Sequence, residues 1–156
     1  MKKLLCSLFV VSLFAVASHA ATPIQLSLWD KIAVPKNDAV HGLEIGIGSN
    51  LSELKGVSWN FIFGKTGTAV GWQAGLVTVT DDLTGLNTGF VNWSESGKIK
   101  GIQWGFINRA QSLTGLQLGF INWADSSPSF GLQIGLINYL GNSSIYKWFP
   151  FINIKV

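Results

Sequence analysis

Four side chains in this sequence could carry chemistry, and their spacing decides how each is interpreted: His41, Glu44, Asp81 and Asp82. His41 could serve as a base or a metal ligand, but a lone histidine beside Gly42 at a strand start is typical of a solvated turn. Asp81 and Asp82 could contribute to a calcium site, yet adjacent residues of an extended chain point apart, which favours a solvated turn. Glu44 is expected on a face of small residues, where it could mark a binding position. Since no nucleophile, base and orienting group recur at a recognisable spacing, the sequence predicts no catalytic residue, no metal ligand, no cofactor and no enzyme.

Aromatic side chains are the second set of candidates. Trp93, Trp123 and Tyr139 each follow an asparagine of a repeated motif and are expected near strand ends, where membrane proteins place amphipathic aromatics. Ordinary packing and turn cover explain them equally well. Stacking platforms for glycans or single strands are a further reading, but the basic pattern that accompanies nucleic acid is absent, so no nucleic-acid partner is predicted.

The first twenty residues have the layout of a secretory signal peptide. Lys2 and Lys3 precede an apolar run, and Ala20 ends a stretch of small residues suited to cleavage. We therefore expect residues 1–20 to be removed and residues 21–156 to form a single exported domain. Of the eleven Lys and Arg residues nine would remain against eight Asp and Glu, which is close to neutral. Loss of Cys6, the one cysteine of the chain, excludes disulfides and thiolate metal sites from the mature protein.

The element that positions all of these candidates is a repeat. Gly115-Leu116-Gln117-Leu118-Gly119-Phe120-Ile121-Asn122-Trp123 recurs with small changes along most of the mature chain. Counting the first glycine as position one, the copies begin at Gly42, Gly56, Gly71, Gly85, Gly101, Gly115 and Gly131. The intervals are 14, 15, 14, 16, 14 and 16 residues. Such a period reports one supersecondary unit that is copied and stacked.

Alternation within each copy predicts strands with two unlike faces. In the copy at Gly115, the even positions are Leu116, Leu118, Phe120 and Asn122, whereas the odd positions are small or amide-bearing. We expect an all-β fold in which an antiparallel meander closes into a small β-barrel of about eight or nine strands, with glycine and glutamine facing the narrow interior. The residues 147–156 are expected to form the closing strand. The alternatives are a parallel β-solenoid with coils of 14–16 residues, in which Gln and Asn side chains stack as ladders, and a β-sandwich.

The copies from Gly101 to Tyr139 resemble a bacterial family of surface repeat-containing proteins, whose members repeat Gly-Leu-Gln-Leu-Gly-Leu-Val-Asn behind a signal peptide. The resemblance implies a cell-surface or envelope location and brings no assigned activity. Some relatives carry a polyhydroxyalkanoate synthase label, but that chemistry needs a cysteine nucleophile, which the mature chain lacks.

The predicted function is therefore non-enzymatic. We expect an exported envelope or surface repeat protein with a structural or adhesive role, inserted in the outer membrane if its apolar face meets lipid. The alternative is a soluble exported module, periplasmic or secreted, that binds a ligand or partner through its repeated sheet face or its turns.

Overall fold

The chain folds as a parallel β-solenoid of about seven turns. The structure is a computed structural model that describes residues 21–30, 32–94 and 96–156. The predicted signal peptide, residues 1–20, lies outside the described residues. Within those described ranges, no helix is long and apolar enough to cross a membrane.

The strands lie side by side in one wound sheet. Their bounds are β1 Thr22–Trp29, β2 Ile32–Val34, β3 Ala39–Trp93, β4 Lys98–Trp104, β5 Ile107–Leu118, β6 Ile121–Ser126, β7 Gly131–Leu140 and β8 Trp148–Lys155. The long β3 runs through the corners of the first coils without a break. Neighbouring coils pair in parallel, whereas β2 and β8 pair antiparallel with β1 and β7 at the two ends.

The expected antiparallel barrel is wrong. Gly101 pairs with Gly115 and Gly115 with Gly131, all in parallel register, so each copy of the motif completes one coil and stacks on the previous one. A barrel would need successive copies to reverse direction. The structure matches the stated alternative, the solenoid, because a step of 14–16 residues brings the chain once around and returns it one strand spacing higher.

The first glycine of each copy is a requirement of this stacking. Gly115 has φ of 134°, a backbone conformation that side chains rarely adopt, and a Cβ there would lie 2.1 Å from the carbonyl oxygen of Gly101. The same close approach joins Gly56 to Gly42. Only glycine fits this corner in the first six copies, which explains why each of them begins with one, whereas Gly131 lacks the positive φ.

The faces differ from the prediction at one point. A bend at Gly119 and Phe120 separates β5 from β6, so the simple even and odd alternation does not continue through the motif. Gln117 and Asn122 are therefore both fully buried inside the coil, although they stand at positions of opposite parity. Leu116, Leu118 and Phe120 point outward as predicted for the large apolar face.

An apolar column completes the interior. It lies two residues before each of the first six starting glycines and consists of Val40, Leu54, Ala69, Leu83, Ile99 and Leu113, all buried. The segments between the asparagine and the next glycine supply only this column and a second one of small or apolar residues, such as Ala110 and Ala124. This is enough for a second wall because the rest of the interior is filled by hydrogen-bonded amides.

Both ends of the solenoid are covered by an antiparallel strand. At one end β2 is only three residues long, and at the other Pro150 lies within β8. A short strand and a proline both weaken an exposed edge as a template for further pairing. An antiparallel strand thus pairs with the first and with the last row of the wound sheet.

Candidate functional site

The residues that the sequence singled out for chemistry lie apart. The His41 ring is 3.2 Å from the Glu53 carboxylate, which also pairs with Lys55, on the exposed surface. Hydrogen bonds from Lys55 and then His41 lower the pKa of Glu53. Among the described residues, no three His, Cys, Asp or Glu side chains come together as metal ligands would.

Asp81 and Asp82 stabilise a turn. The Asp81 carboxylate accepts a hydrogen bond from the Ser96 hydroxyl at 3.0 Å, and the Asp82 carboxylate accepts one from the Lys98 backbone amide at 2.9 Å. Each aspartate therefore connects its own coil to the turn of the next coil.

Glu44 lies inside the solenoid, fully buried. Its Oε2 atom accepts hydrogen bonds from the Ser58 hydroxyl at 2.5 Å and from the Asn60 amide at 2.7 Å, while Oε1 has no partner. Gln25 lies opposite Glu44 in the register of β1 with β3, and its own Oε1 is also without a partner. Glu44 thus occupies a place in the glutamine column of the interior and faces no surface from which a ligand could reach it.

Two amide ladders run through the later coils. Asn92, Asn108 and Asn122 each donate to the side-chain oxygen of the asparagine in the next coil, at 2.8 Å in every case. Gln133 donates to Gln117 and Gln117 to Gln103, both at 2.7 Å, in the opposite direction along the axis. Buried amides are stable here because each one satisfies its neighbour.

The second glycine of the motif makes room for the asparagine ladder. A Cβ at Gly119 would lie 2.5 Å from the side-chain nitrogen of Asn108. The motif Gly-Phe-Ile-Asn therefore couples a small residue to the amide that occupies the space beside it. The ladders are structural, and they turn the remaining side chains of each coil outward.

The outward side chains form one continuous apolar surface, which we call the apolar wall. It consists of the second, fourth and sixth positions of the seven coils, with Ile24, Leu26 and Leu28 of β1 before them and Ile152 of β8 after them. The most exposed members are Phe61 at 78%, Leu28 at 65%, Trp104 at 64% and Trp59 at 63%. In the middle of the wall, Phe90, Phe106 and Phe120 stack in parallel with ring centroids 5.0 and 4.9 Å apart.

The wall has a basin at its centre. Small residues form the floor. Ala74 and Thr88 occupy the fourth position of their coils, where the coils on either side have Trp59 and Trp104. Gly75 and Gly89 follow them in the chain. Trp59 and Phe61 rise on one side, and Trp104 and Phe106 rise on the other. Part of this open depression has a volume of about 690 Å³. Trp72 borders it and donates its indole N–H to the Thr88 hydroxyl at 2.9 Å.

An aromatic rim follows one long edge of the wall. Trp93, Arg109, Trp123, Tyr139 and Trp148 stand in consecutive register. The Trp123 and Tyr139 rings are 4.2 Å apart, Tyr139 and Trp148 are 4.7 Å apart, and the Arg109 guanidinium lies 5.7 Å from the Trp123 ring. The rim is continuous over the last coils.

Asp125 is hydrogen-bonded to two residues of this rim, on the side away from the wall. It accepts hydrogen bonds from the Arg109 guanidinium and the Trp123 indole, each at 2.8 Å. Partial burial raises the pKa of Asp125, but these two donors outweigh it, so the pKa lies below its usual value. The polar edge of Trp123 is thereby turned away from the wall.

A basic rim follows the opposite edge. His41, Lys55 and Lys100 stand immediately before the starting glycines of their coils, and Lys155 lies beside Gly131 in the register of β8 with β7. Glu53 pairs with His41 and Lys55 on this edge, while Lys100 and Lys155 lie outside the ion pairs of the described residues. The residues before the other starting glycines carry no charge; they are Val70, Thr84, Thr114 and Phe130.

Sequence reasoning found the tryptophans but missed how they assemble. It also missed Ser58 and Asn60 as partners of Glu44, although a signal existed. The copy at Gly56 departs from the motif at the positions of Ser58 and Asn60, one coil after the departure at Glu44. Paired departures one repeat apart indicate side chains that meet inside a stacked array.

Comparison with known proteins adds no family. No family model, curated protein or solved structure matches the chain. The resemblance to surface repeat-containing proteins stays a prediction.

Proposed function

We propose that this protein is an exported, non-enzymatic envelope protein that acts as a rigid scaffold and attaches through its apolar wall. The observation that carries the proposal is the wall itself, which stays exposed from β1 to β8 while the interior is filled by amides. Attachment of this kind is structural or adhesive and requires no reactive group.

The wall is too large to be incidental. The wound sheet has nine rows, which are β1, the seven coils and β8. At sheet spacing they give a length of roughly 40 Å and a width of roughly 15–20 Å, or roughly 600–800 Å². Monomeric soluble proteins rarely expose a contiguous apolar patch larger than a few hundred Å², and larger patches mark interaction sites. We therefore assign the wall, and not the turns, as the attachment surface.

The rigidity of the scaffold follows from its ladders. Every coil is joined to the next by backbone hydrogen bonds, and in the later coils also by side-chain amides. An array of this kind holds its outward side chains at fixed intervals along its axis. The wall is thus presented as one surface, in contrast to a set of separate patches.

Cell fractionation tests the proposal. The full precursor would be expressed in a bacterial host, and the mature protein followed into cytoplasmic, soluble exported and envelope fractions. The wall variant, with Phe61→Gln and Trp104→Gln, should leave the envelope fraction, and the purified variant should bind a phenyl matrix more weakly than wild type. The control variant, with Thr68→Gln and Ser129→Gln on the polar side, should behave as wild type.

Two results contradict the proposal. The first is a wild-type precursor that stays uncleaved in the cytoplasm. The second is a folded wall variant that remains in the envelope and binds the phenyl matrix as wild type does.

A further inference from the structure

The wall and its two rims together identify what the wall attaches to, an inference that rests on the proposed function. One edge is lined by tryptophan and tyrosine rings and the other by basic side chains. Aromatic rings with one polar end favour the boundary between water and hydrocarbon, and basic side chains beside an apolar surface favour anionic headgroups.

Trp123 shows the orientation that this boundary demands. Its indole N–H is bonded to Asp125 on the polar side, and its ring contacts Tyr139 and the neighbouring Trp148 along the edge of the wall. The apolar part of the residue is therefore turned to the wall and its polar atom to the charged side. Trp93 continues the same line one coil before Arg109.

Charged side chains on the other side of the solenoid limit how deeply the protein can enter a bilayer. Lys65, Asp81, Asp82 and Asp125 lie there on or beside the turns, and burying them would cost several kcal/mol each unless they were paired. The protein can thus lie on a bilayer with one side immersed, but it cannot be surrounded by lipid. This is the arrangement of an interfacial amphipathic element.

We infer that the apolar wall docks on the surface of an anionic lipid bilayer. The wall enters the boundary between headgroups and acyl chains, the basic rim contacts the anionic headgroups, and the aromatic rim lies at the level of the interface. The charged turns stay in water.

Vesicle sedimentation with the purified mature protein tests the inference. Vesicles of phosphatidylcholine, with and without added phosphatidylglycerol, would be compared. Wild type should bind both, and it should bind the anionic vesicles more tightly at low salt. The wall variant should lose at least about tenfold in affinity for both, because it loses two of the largest exposed apolar side chains.

Two lysines provide a matched pair. Lys100 lies next to the wall and Lys98 lies two residues farther away, both exposed and both outside the ion pairs of the described residues. Lys100→Gln should weaken binding to anionic vesicles about fivefold, the value expected for one basic residue near a charged surface. Lys98→Gln should change it less than about twofold. Both variants should keep the wild-type unfolding midpoint.

The outcomes separate the inference from the function. Binding to the phenyl matrix without binding to either vesicle overturns the lipid docking and leaves the proposed attachment function standing. A concentration-dependent dimer that hides the wall, seen by analytical ultracentrifugation, also overturns it in favour of a second copy. Failure to bind phenyl matrix, vesicles or itself overturns both. Equal losses for Lys100→Gln and Lys98→Gln overturn the assigned orientation.

Discussion

The coils from Gly101 to Leu140 and the coils from Gly42 to Asn87 share one backbone path but satisfy their buried polar groups differently. In the later group, here called the C-terminal coils, Gln117 and Asn122 each bond to the equivalent residue on both sides. In the earlier group, the N-terminal coils, Glu44, Ser58 and Asn60 form a local cluster in place of a ladder.

The two groups also differ in which buried side-chain nitrogen and oxygen atoms have no hydrogen-bond partner. In the N-terminal coils they are Glu44 Oε1, Asn60 Oδ1, Thr66 Oγ1 and both polar atoms of the Asn87 side chain. In the C-terminal coils they are Ser127 Oγ and Gln133 Oε1. A polar interior is stabilising only where the repeat is regular enough for each amide to find its copy, and each orphaned group costs about 1–3 kcal/mol.

The largest expected effect comes from replacing a starting glycine, which both groups of coils require. Gly56→Ala and Gly115→Ala should each lower the free energy of unfolding by about 3 kcal/mol or more, because both residues have strongly positive φ and a Cβ would meet a backbone carbonyl. Urea denaturation followed by circular dichroism measures this. Gly131→Ala is the control, since the neighbour of its Cβ is the Ser127 side chain, and it should cost much less. Equal losses at all three positions would show that the corner geometry is not the cause.

The next largest effect distinguishes the C-terminal coils from the N-terminal coils, through a buried asparagine in each. Asn122→Leu should destabilise by about 2–3 kcal/mol, because it leaves Asn138 Oδ1 and the Ile134 carbonyl oxygen without the Asn122 amide. Asn87→Leu, of the same size and equally buried, should be neutral or stabilising, because neither side-chain atom of Asn87 has a partner. The same denaturation experiment applies. A comparable loss at Asn87 would mean that its amide is satisfied and that the contrast between the groups is weaker than stated.

Exchanging glutamate and glutamine within the glutamine column of the interior should have a smaller effect on stability. Glu44→Gln should raise the free energy of unfolding by about 1 kcal/mol, since it supplies an amide donor toward Gln25, whose Oε1 atom has no partner. The reciprocal Gln117→Glu should destabilise, because it removes the donor to Gln103. Thermal unfolding midpoints measure both. Destabilisation by Glu44→Gln would show instead that the N-terminal cluster depends on its carboxylate.

The smallest effect belongs to the C-terminal ion pair. The pKa of Asp125 is lowered in the folded state, so its contribution to stability is present above the unfolded value near 4 and is lost as pH falls through the folded value. Asp125 is substantially exposed, and screening limits the effect to about 0.5 kcal/mol. Asp125→Asn should therefore reduce stability at neutral pH and remove part of the loss between about pH 5 and 3. An unchanged acid dependence would place that loss on other carboxylates, such as Glu53.

Much of the interior could be anticipated from the order of residues. The column of Gln73, Gln103, Gln117 and Gln133 and the column of Asn92, Asn108, Asn122 and Asn138 follow from the spacing of the copies once the solenoid is considered. The sequence favours a barrel over a solenoid, because the second half of each copy offers few apolar residues for the second wall of a coil. That reasoning underestimated Ile99 and Leu113, which suffice as one apolar column when amides fill the remaining interior.

The candidate surface was predictable in part. Alternation places Leu116, Leu118 and Phe120 on one face without deciding which face is outward, and the position of Trp123 after the asparagine is visible in the motif. The stacking of Trp123 on Tyr139 and its contact with Arg109 were not predictable, because they depend on which coil lies beside which.

The sequence alone determined the unit, a repeat of 14–16 residues with strand periodicity in which large apolar residues alternate with glycine and glutamine, since this alternation depends only on neighbouring residues. It did not determine which of the two faces is buried. Tertiary structure alone decided the direction of pairing. Parallel and antiparallel stacking satisfy the same alternation, and only the position of each coil relative to the next distinguishes a wall of aligned aromatics from the outside of a barrel. The basin, the two rims and the cluster around Glu44 all follow from that one choice, because each is built from residues a full coil apart.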